Sequence, residues 1–275
     1  MSIEFTAGSD AQCSGKSPHS DATAASLRES RLRAAAADWS LYFVTDTTMA
    51  GSPENVVVQV AAAIRGGVSV VQVRDKHLPD AEYFELAKAV RDTACEVGEE
   101  VGREVLVFVN DRVQVAKELG LEAHVGQSDM PVREVRKLLG DRAIIGLSAH
   151  TEGQMQAAFD NGSADLFGIG PVWETQTKET KNPQLLPARF DELARFAHSG
   201  GHLALAIGGI KAHNAAELAP TATDGICVVS EIALAPDPQQ AAENLLREFR
   251  GARAAINGQD SADTRPTMPL TNVND

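Results

Sequence analysis

The sequence predicts a (β/α)8 barrel, on three observations. Eight short runs rich in β-branched and aliphatic residues recur along the chain, each followed by a segment of helical period. Prolines stand at the starts of the helical segments and glycines just past their ends. The eight units together occupy about 210 residues, the span of one barrel.

The strand expectations, in order, are 41–45 (LYFVT), 68–73 (VSVVQV), 104–109 (EVLVFV), 121–125, 143–147 (AIIGL), 164–169 (ADLFGI), 202–207 (HLALAI) and 224–229 (DGICVV). Near-continuous aliphatic strands joined by short connections suit a parallel sheet buried on both faces. Helices are expected at 53–65, 80–97, 111–119, 131–139, 151–161, 187–198, 213–219 and 238–249. Pro53, Pro131, Pro187 and Pro238 open four of these, and Gly66, Gly98, Gly120, Gly140 and Gly162 follow five. A doubly wound open sheet is the weaker choice, because no GxGxxG follows the first strand. One extra helix at 22–37 is expected to cover the barrel bottom or an edge. The domain reading is a single barrel domain over 21–256. Residues 1–20 and 257–275, polar and without apolar period, read as flexible tails.

Composition narrows the function. The chain has 275 residues, 43% of them hydrophobic and 5% aromatic, enough for one aliphatic core. Its net charge of −13 argues against a nucleic-acid surface, so an anionic ligand needs a local cationic pocket or a metal. Cys13, Cys95 and Cys227 are widely spaced and form no CxxC pair, which encodes neither a disulfide framework nor a zinc site. With no apolar run of membrane length and no secretory leader pattern, a cytoplasmic protein is expected; a homo-oligomer stays open.

In such a barrel, chemistry gathers where the strands' C-terminal ends meet on one face. Polar residues or glycines stand at that end of all eight predicted strands. Asp46 follows the first. The second ends in Gln72, Val73, Arg74, Asp75 and Lys76, the third in Asn110 and Asp111, and the fourth runs into Gly126 to Asp129. Gln72, Arg74 and Lys76 alternate, so an extended chain projects an amide and two cations to one side, a set that suits a multi-oxygen anion. The plainer alternative is a surface charge cluster paired with Asp75. Asp111 and Asp129 occupy equivalent rim positions one strand apart and could share Mg²⁺, which takes one or two carboxylates plus water and phosphate oxygens. Alternatively, Asp111 caps the following helix. Ser148 ends the fifth strand. The sixth opens into GPVWETQTKE, where Thr175, Gln176, Thr177 and Lys178 are poor material for a core. Gly208 and Gly209 end the seventh and Ser230 the eighth, where barrels often bind phosphate through backbone amides. His77, His150 and His213 have no metal-ligand spacing and read as structural or solvent-exposed.

Eight motifs in order, YFVTD, GGVSVVQVRDK, VNDRVQVAKELG, HVGQSDMP, IGLSAHT, GIGPVWETQTK, AIGGI and VVSEI, make the chain resemble thiamine phosphate synthase over nearly all of residues 39–247. The resemblance implies a transferase that joins 4-amino-2-methyl-5-(diphosphooxymethyl)pyrimidine to a carboxylated thiazole phosphate and releases pyrophosphate, with small-molecule partners only. By position, it implies that Gln72, Val73, Arg74, Asp75, Lys76 and Asn110 bind the pyrimidine pyrophosphate and that Asp111 and Asp129 hold Mg²⁺. It further implies that Ser148 contacts the pyrimidine substrate and Lys178 its pyrophosphate. Thr175, Gln176, Thr177, Gly209, Val229 and Ser230 then take the thiazole phosphate. Arg74, Lys76, Ser148 and Lys178 are its catalytic set. Two departures stand out: Glu174 replaces a usual proline, and Glu122-Ala123 a common Asp-Gly. The rival readings are a thiazole tautomerase-like relative, which needs no pyrophosphate site, and a non-catalytic binding or regulatory protein for thiamine precursors.

Overall fold

A computed structural model describes residues 24–175, 177 and 182–263. Eight parallel strands close into a barrel in sequence order: β1 (Leu41–Val44), β2 (Val70–Val73), β3 (Leu106–Asn110), β4 (Glu122–Val125), β5 (Ile145–Ala149), β6 (Leu166–Ile169), β7 (Leu203–Ile207) and β8 (Gly225–Val228). The ring is closed by β1 on β8, with Tyr42 opposite Cys227. Full closure leaves no strand edge exposed, and so no row of unpaired backbone groups.

Around it run α1 (Ala24–Ala36), α2 (Thr47–Ala50), α3 (Pro53–Arg65), α4 (Asp80–Glu100), α5 (Val113–Leu119), α6 (Val132–Leu139), α7 (Glu152–Asn161), α8 (Leu186–Ser199), α9 (Ser230–Ala233) and α10 (Pro238–Asp263). The expected helix at 213–219 is instead a single 3-10 turn, Ala215–Leu218, and the Asn214 side chain before it is engaged by the loop backbone. That side chain donates to Gly209 O (3.0 Å) and accepts from Lys211 N (2.8 Å). Gly98 lies inside α4 rather than past its end. Pro131 precedes the first turn of α6, and α8 begins one residue before Pro187. The last helix continues well past 249, to Asp263, across Gly251 and Gly258 and into the segment read as a tail.

Two apolar layers result. Strand residues facing outward pack on the helices, for example Phe43, Val71 and Val109. Inward residues fill the barrel: Tyr42, Val44, Val70, Leu106, Phe108, Ile144, Leu166, Leu205 and Cys227, capped from below by Ala34 and Trp39. The extra N-terminal helix therefore covers the bottom. Its polar side is tied there by charges: Ser30 donates to Asp165 (2.7 Å) and Arg33 to Glu122 (2.8 Å). Asp165 also accepts from Arg136 (2.6 Å) and Ile145 N (2.8 Å). Glu122, the departure noted in the sequence, thus belongs to the bottom closure rather than the mouth. Burial drives its carboxyl upward, against the opposing pull of Arg33 and of the Ile144 N–H.

Candidate active site

Those of the expected residues that the structure describes gather at the C-terminal mouth in two arcs. The first spans β2 to β5. Gln72, still within β2, points inward and is buried; its Nε2 donates to Tyr42 Oη at 2.7 Å. Beyond the strand end, Arg74 pairs with Asp46 at 2.9 Å and Lys76 with Asp111 at 3.5 Å. Asp75 joins neither cation. Its carboxylate accepts the N–H groups of His77 and Leu78 and fixes the turn into α4. Burial alone would raise the Asp75 carboxyl; these two donors bring it below the ordinary carboxylate range. The expected pairing with Asp75 is not formed; each cation instead meets a carboxylate from a different strand end. Val73 contributes its carbonyl, which accepts from Tyr83 Oη (2.8 Å).

Asp111 does not cap α5, whose N-cap is Arg112 without a side-chain bond. It sits at φ 60°, a conformation costly for a residue other than glycine and most tolerated by Asp and Asn. Its Oδ1 accepts from Asn110 (2.9 Å), and its backbone N–H donates to His124 O (3.0 Å). Burial first, and then the neighbouring Asp129 carboxylate, raise the Asp111 carboxyl, with Lys76 opposing. Two carboxylates held this close repel until a proton or a cation lies between them. Asp129 is itself fixed by Gly126 N (2.7 Å). Among the described residues no cluster of three or more His, Cys, Asp or Glu could hold a metal ion. A two-carboxylate site of this kind fits Mg²⁺, which keeps waters and substrate phosphates for its other positions.

Ser148 completes the arc from β5. His124 Nε2 lies 3.0 Å from its hydroxyl, and Gln127 Nε2 donates to its carbonyl (2.7 Å). His124 faces the barrel interior opposite Gly146, where a Cβ would stand 2.3 Å from the imidazole. The imidazole therefore requires glycine at 146.

The second arc spans β6 to β8. Val172 N and Trp173 N donate to Ile207 O (2.9 Å) and Gly208 O (3.0 Å), extending β6 along β7, while Leu185 N and Leu186 N return to Pro171 O and Val172 O. The base of the 173–184 loop is thereby pinned. Gly209 lies at φ 68°, and a Cβ there would meet Glu174 O at 2.6 Å, so the contact needs glycine. Thr175 Oγ1 accepts from Thr177 N at 3.2 Å, and Glu174 is exposed. Gln176 and Lys178 lie outside the described residues. Val229 leads into α9, and Ser230 Oγ accepts from Lys211 Nζ (3.1 Å), which also pairs with Glu231 (3.2 Å).

Four residues beside the site were not singled out from the sequence for these contacts: Tyr42, His124, Asp46 and Lys211. Asp46 and Lys211 carried a usable signal, a charge directly after a strand or the glycine pair. Tyr42 and His124 look like core strand residues, and no spacing rule marks them.

The family model for thiamine monophosphate synthase matches residues 41–232, the whole run from β1 into α9. The chain belongs to this family. A thiamine-phosphate synthase of a Psychrobacter species is 38% identical over 212 residues, covering 76% of this chain and 94% of that protein. The thiamine biosynthesis multifunctional protein ThiED of Corynebacterium glutamicum is 42% identical over 78% of this chain, which spans 28% of that protein's length. In structure, the barrel is similar to a thiamine phosphate pyrophosphorylase from Pyrococcus furiosus, with TM-score 0.66 and 29% identity, over 78% of this chain and 97% of that one. The family barrel thus coincides with the segment carrying both arcs. Among the described residues, no helix is long and apolar enough to cross a membrane.

Proposed function

We propose that this thiamine monophosphate synthase family member condenses the aminopyrimidine pyrophosphate with the thiazole phosphate to give thiamine phosphate and pyrophosphate, acting in the cytosol on small molecules. One observation carries the reading: Arg74, Lys76 and the Asp111–Asp129 pair project from β2, β3 and β4 onto one side of the mouth. That is a site for a heavily charged leaving group. A tautomerase acting on the thiazole alone has no use for it.

In this reading the C–O bond to the pyrophosphate breaks, its electron pair leaving with the oxygen. The electron-rich aminopyrimidine stabilises the resulting benzylic-like cation. The thiazole nitrogen lone pair then forms the new C–N bond. No side-chain nucleophile is required, only neutralisation of charge and alignment of two substrates. Arg74 and Lys76, together with Lys178, oppose the growing charge on the leaving group. Asp111 and Asp129 would hold Mg²⁺, which supplies further neutralisation of the phosphate oxygens. Ser148, held by His124 and Gln127, orients the pyrimidine alongside Gln72 and Asn110. Thr175, Gln176, Thr177, Gly209, Val229 and Ser230 take the thiazole phosphate in the opposite arc.

The deciding experiment incubates the purified chain with both substrates and Mg²⁺ and follows pyrophosphate and thiamine phosphate together. Stoichiometric release of both is expected. Conversion of the thiazole phosphate alone, or binding of both substrates without product, would reject this function.

A further inference from the structure

Tyr42 stands in β1 with its ring in the apolar filling of the barrel, 5.5 Å from the Phe108 ring and 6.3 Å from Trp39. Its side chain is 1% exposed, so a hydroxyl here needs a partner, and that partner is Gln72 Nε2 at 2.7 Å. Burial pushes the phenol far above its ordinary range, so it stays a neutral hydroxyl. Gln72 belongs to the proposed pyrimidine site, one strand over, with Val44 opposite it in register.

The two ends of a glutamine amide have opposite character: the nitrogen donates two hydrogens and the oxygen only accepts. An amide free to rotate offers a ligand either end. Here the nitrogen is committed downward into the barrel, to Tyr42. Among the described residues no donor is paired with Gln72 Oε1, which leaves this acceptor for a ligand.

We propose that Tyr42 is a specificity-determining positioning residue. By accepting the Gln72 amide N–H, it presents Gln72 Oε1 to the ligand and so selects a pyrimidine whose ring edge carries a donor. The 4-amino group of the proposed substrate is such a donor. Its 4-oxo counterpart is close in shape and presents a carbonyl oxygen at the same position, setting two acceptors against each other. A hydrogen-bond mismatch at a desolvated edge is a strong basis for discrimination between isosteres. The inference rests on the functional reading above for the identity of the pyrimidine.

Binding rather than turnover tests it. Calorimetric titration with the 4-amino and the 4-oxo hydroxymethylpyrimidine pyrophosphates, both with Mg²⁺, gives a preference ratio for each protein. We expect wild type to favour the amino compound, and Tyr42→Phe to lose tenfold or more of that ratio while melting as a folded protein. A second variant, Gln72→Glu, offers acceptors only and should retain the amino preference. A wild type without preference, a ratio in Tyr42→Phe within twofold of wild type, or a preference abolished by Gln72→Glu would each overturn the proposal. The synthase reading fails separately: a chain that keeps the preference but forms no product overturns that reading alone, whereas one that binds neither pyrimidine pyrophosphate overturns both.

Discussion

Arg74 Nη1 lies 2.9 Å from Asp46 Oδ2, with the two side chains 13% and 14% exposed. Asp46 is itself anchored, since its other oxygen accepts Met49 N (3.1 Å) and caps the short helix α2. The carboxylate anchors one end of the guanidinium, and the proposed pyrophosphate would take its remaining N–H groups. A lysine at this position has a single point of charge and cannot bridge Asp46 and a phosphate bidentately. Arg74→Lys should lower kcat/KM for the pyrimidine pyrophosphate by about 10- to 100-fold, the scale of losing a preorganised charge contact. Steady-state kinetics with a parallel thermal melt check this, and unchanged kinetics would remove Arg74 from the site.

The Asp111 and Asp129 carboxylates should set the metal requirement. Asn tolerates the positive φ of Asp111, so Asp111→Asn keeps the turn and removes only charge. Both Asp111→Asn and Asp129→Asn should need about tenfold more Mg²⁺ for half-maximal activity, with lower turnover, as one of two ligand carboxylates is lost. Full activity of both variants in a chelator would contradict the metal assignment.

Gly209 should be intolerant of any side chain. Alanine there adopts a strained φ and drives its Cβ into Glu174 O and the Trp173 Cβ, each under 3 Å. Strain of this kind costs about 1–3 kcal/mol. Gly209→Ala should lower the melting temperature by several degrees and raise KM for the thiazole phosphate more than for the pyrimidine pyrophosphate. Equal effects on the two KM values would separate Gly209 from the thiazole arc.

The bottom closure should be acid-sensitive through His202. Burial, and then the Arg31 guanidinium 3.3 Å from its Nε2, lower its pKa from 6.5 to about 4. The folded state therefore binds fewer protons than the unfolded chain between those values. Stability from this group is present above pH 6.5 and is lost as the pH falls toward 4, by about 3 kcal/mol in all. His202→Phe keeps a ring beside Phe159, with which His202 stacks at 4.7 Å, and should flatten this acid limb. Urea unfolding at pH 7.5, 5.5 and 4.5 reads the slope; parallel curves for variant and wild type would exclude His202 as the source.

The barrel was legible in the sequence because its signals are local. Aliphatic runs of strand length, helical periods between them, and proline and glycine at the joints are set by backbone sterics within a few residues. So the eight strands fall within one or two residues of expectation at most ends. Where an expected boundary moved, a short-range contact that no helix or strand period marks had intervened. Before the 3-10 turn at Ala215–Leu218, Asn214 reaches Gly209, and Gly98 stays helical under the close approach of Arg103 O, 2.7 Å from where its Cβ would be.

By itself, the sequence determined the fold class, the family and which residues of the described site crowd the mouth, because a strand's C-terminal end and its residue types are both written along the chain. Only the tertiary structure decided the partners. It gave Arg74 to Asp46 instead of Asp75, brought Asp111 against Asp129 rather than onto α5, and turned the Gln72 amide toward Tyr42. These pairings join residues on different strands, and barrel closure sets them by fixing which side chains face the same enclosed volume. A charge or an amide in that volume must find its partner across the ring, where no sequence spacing records it.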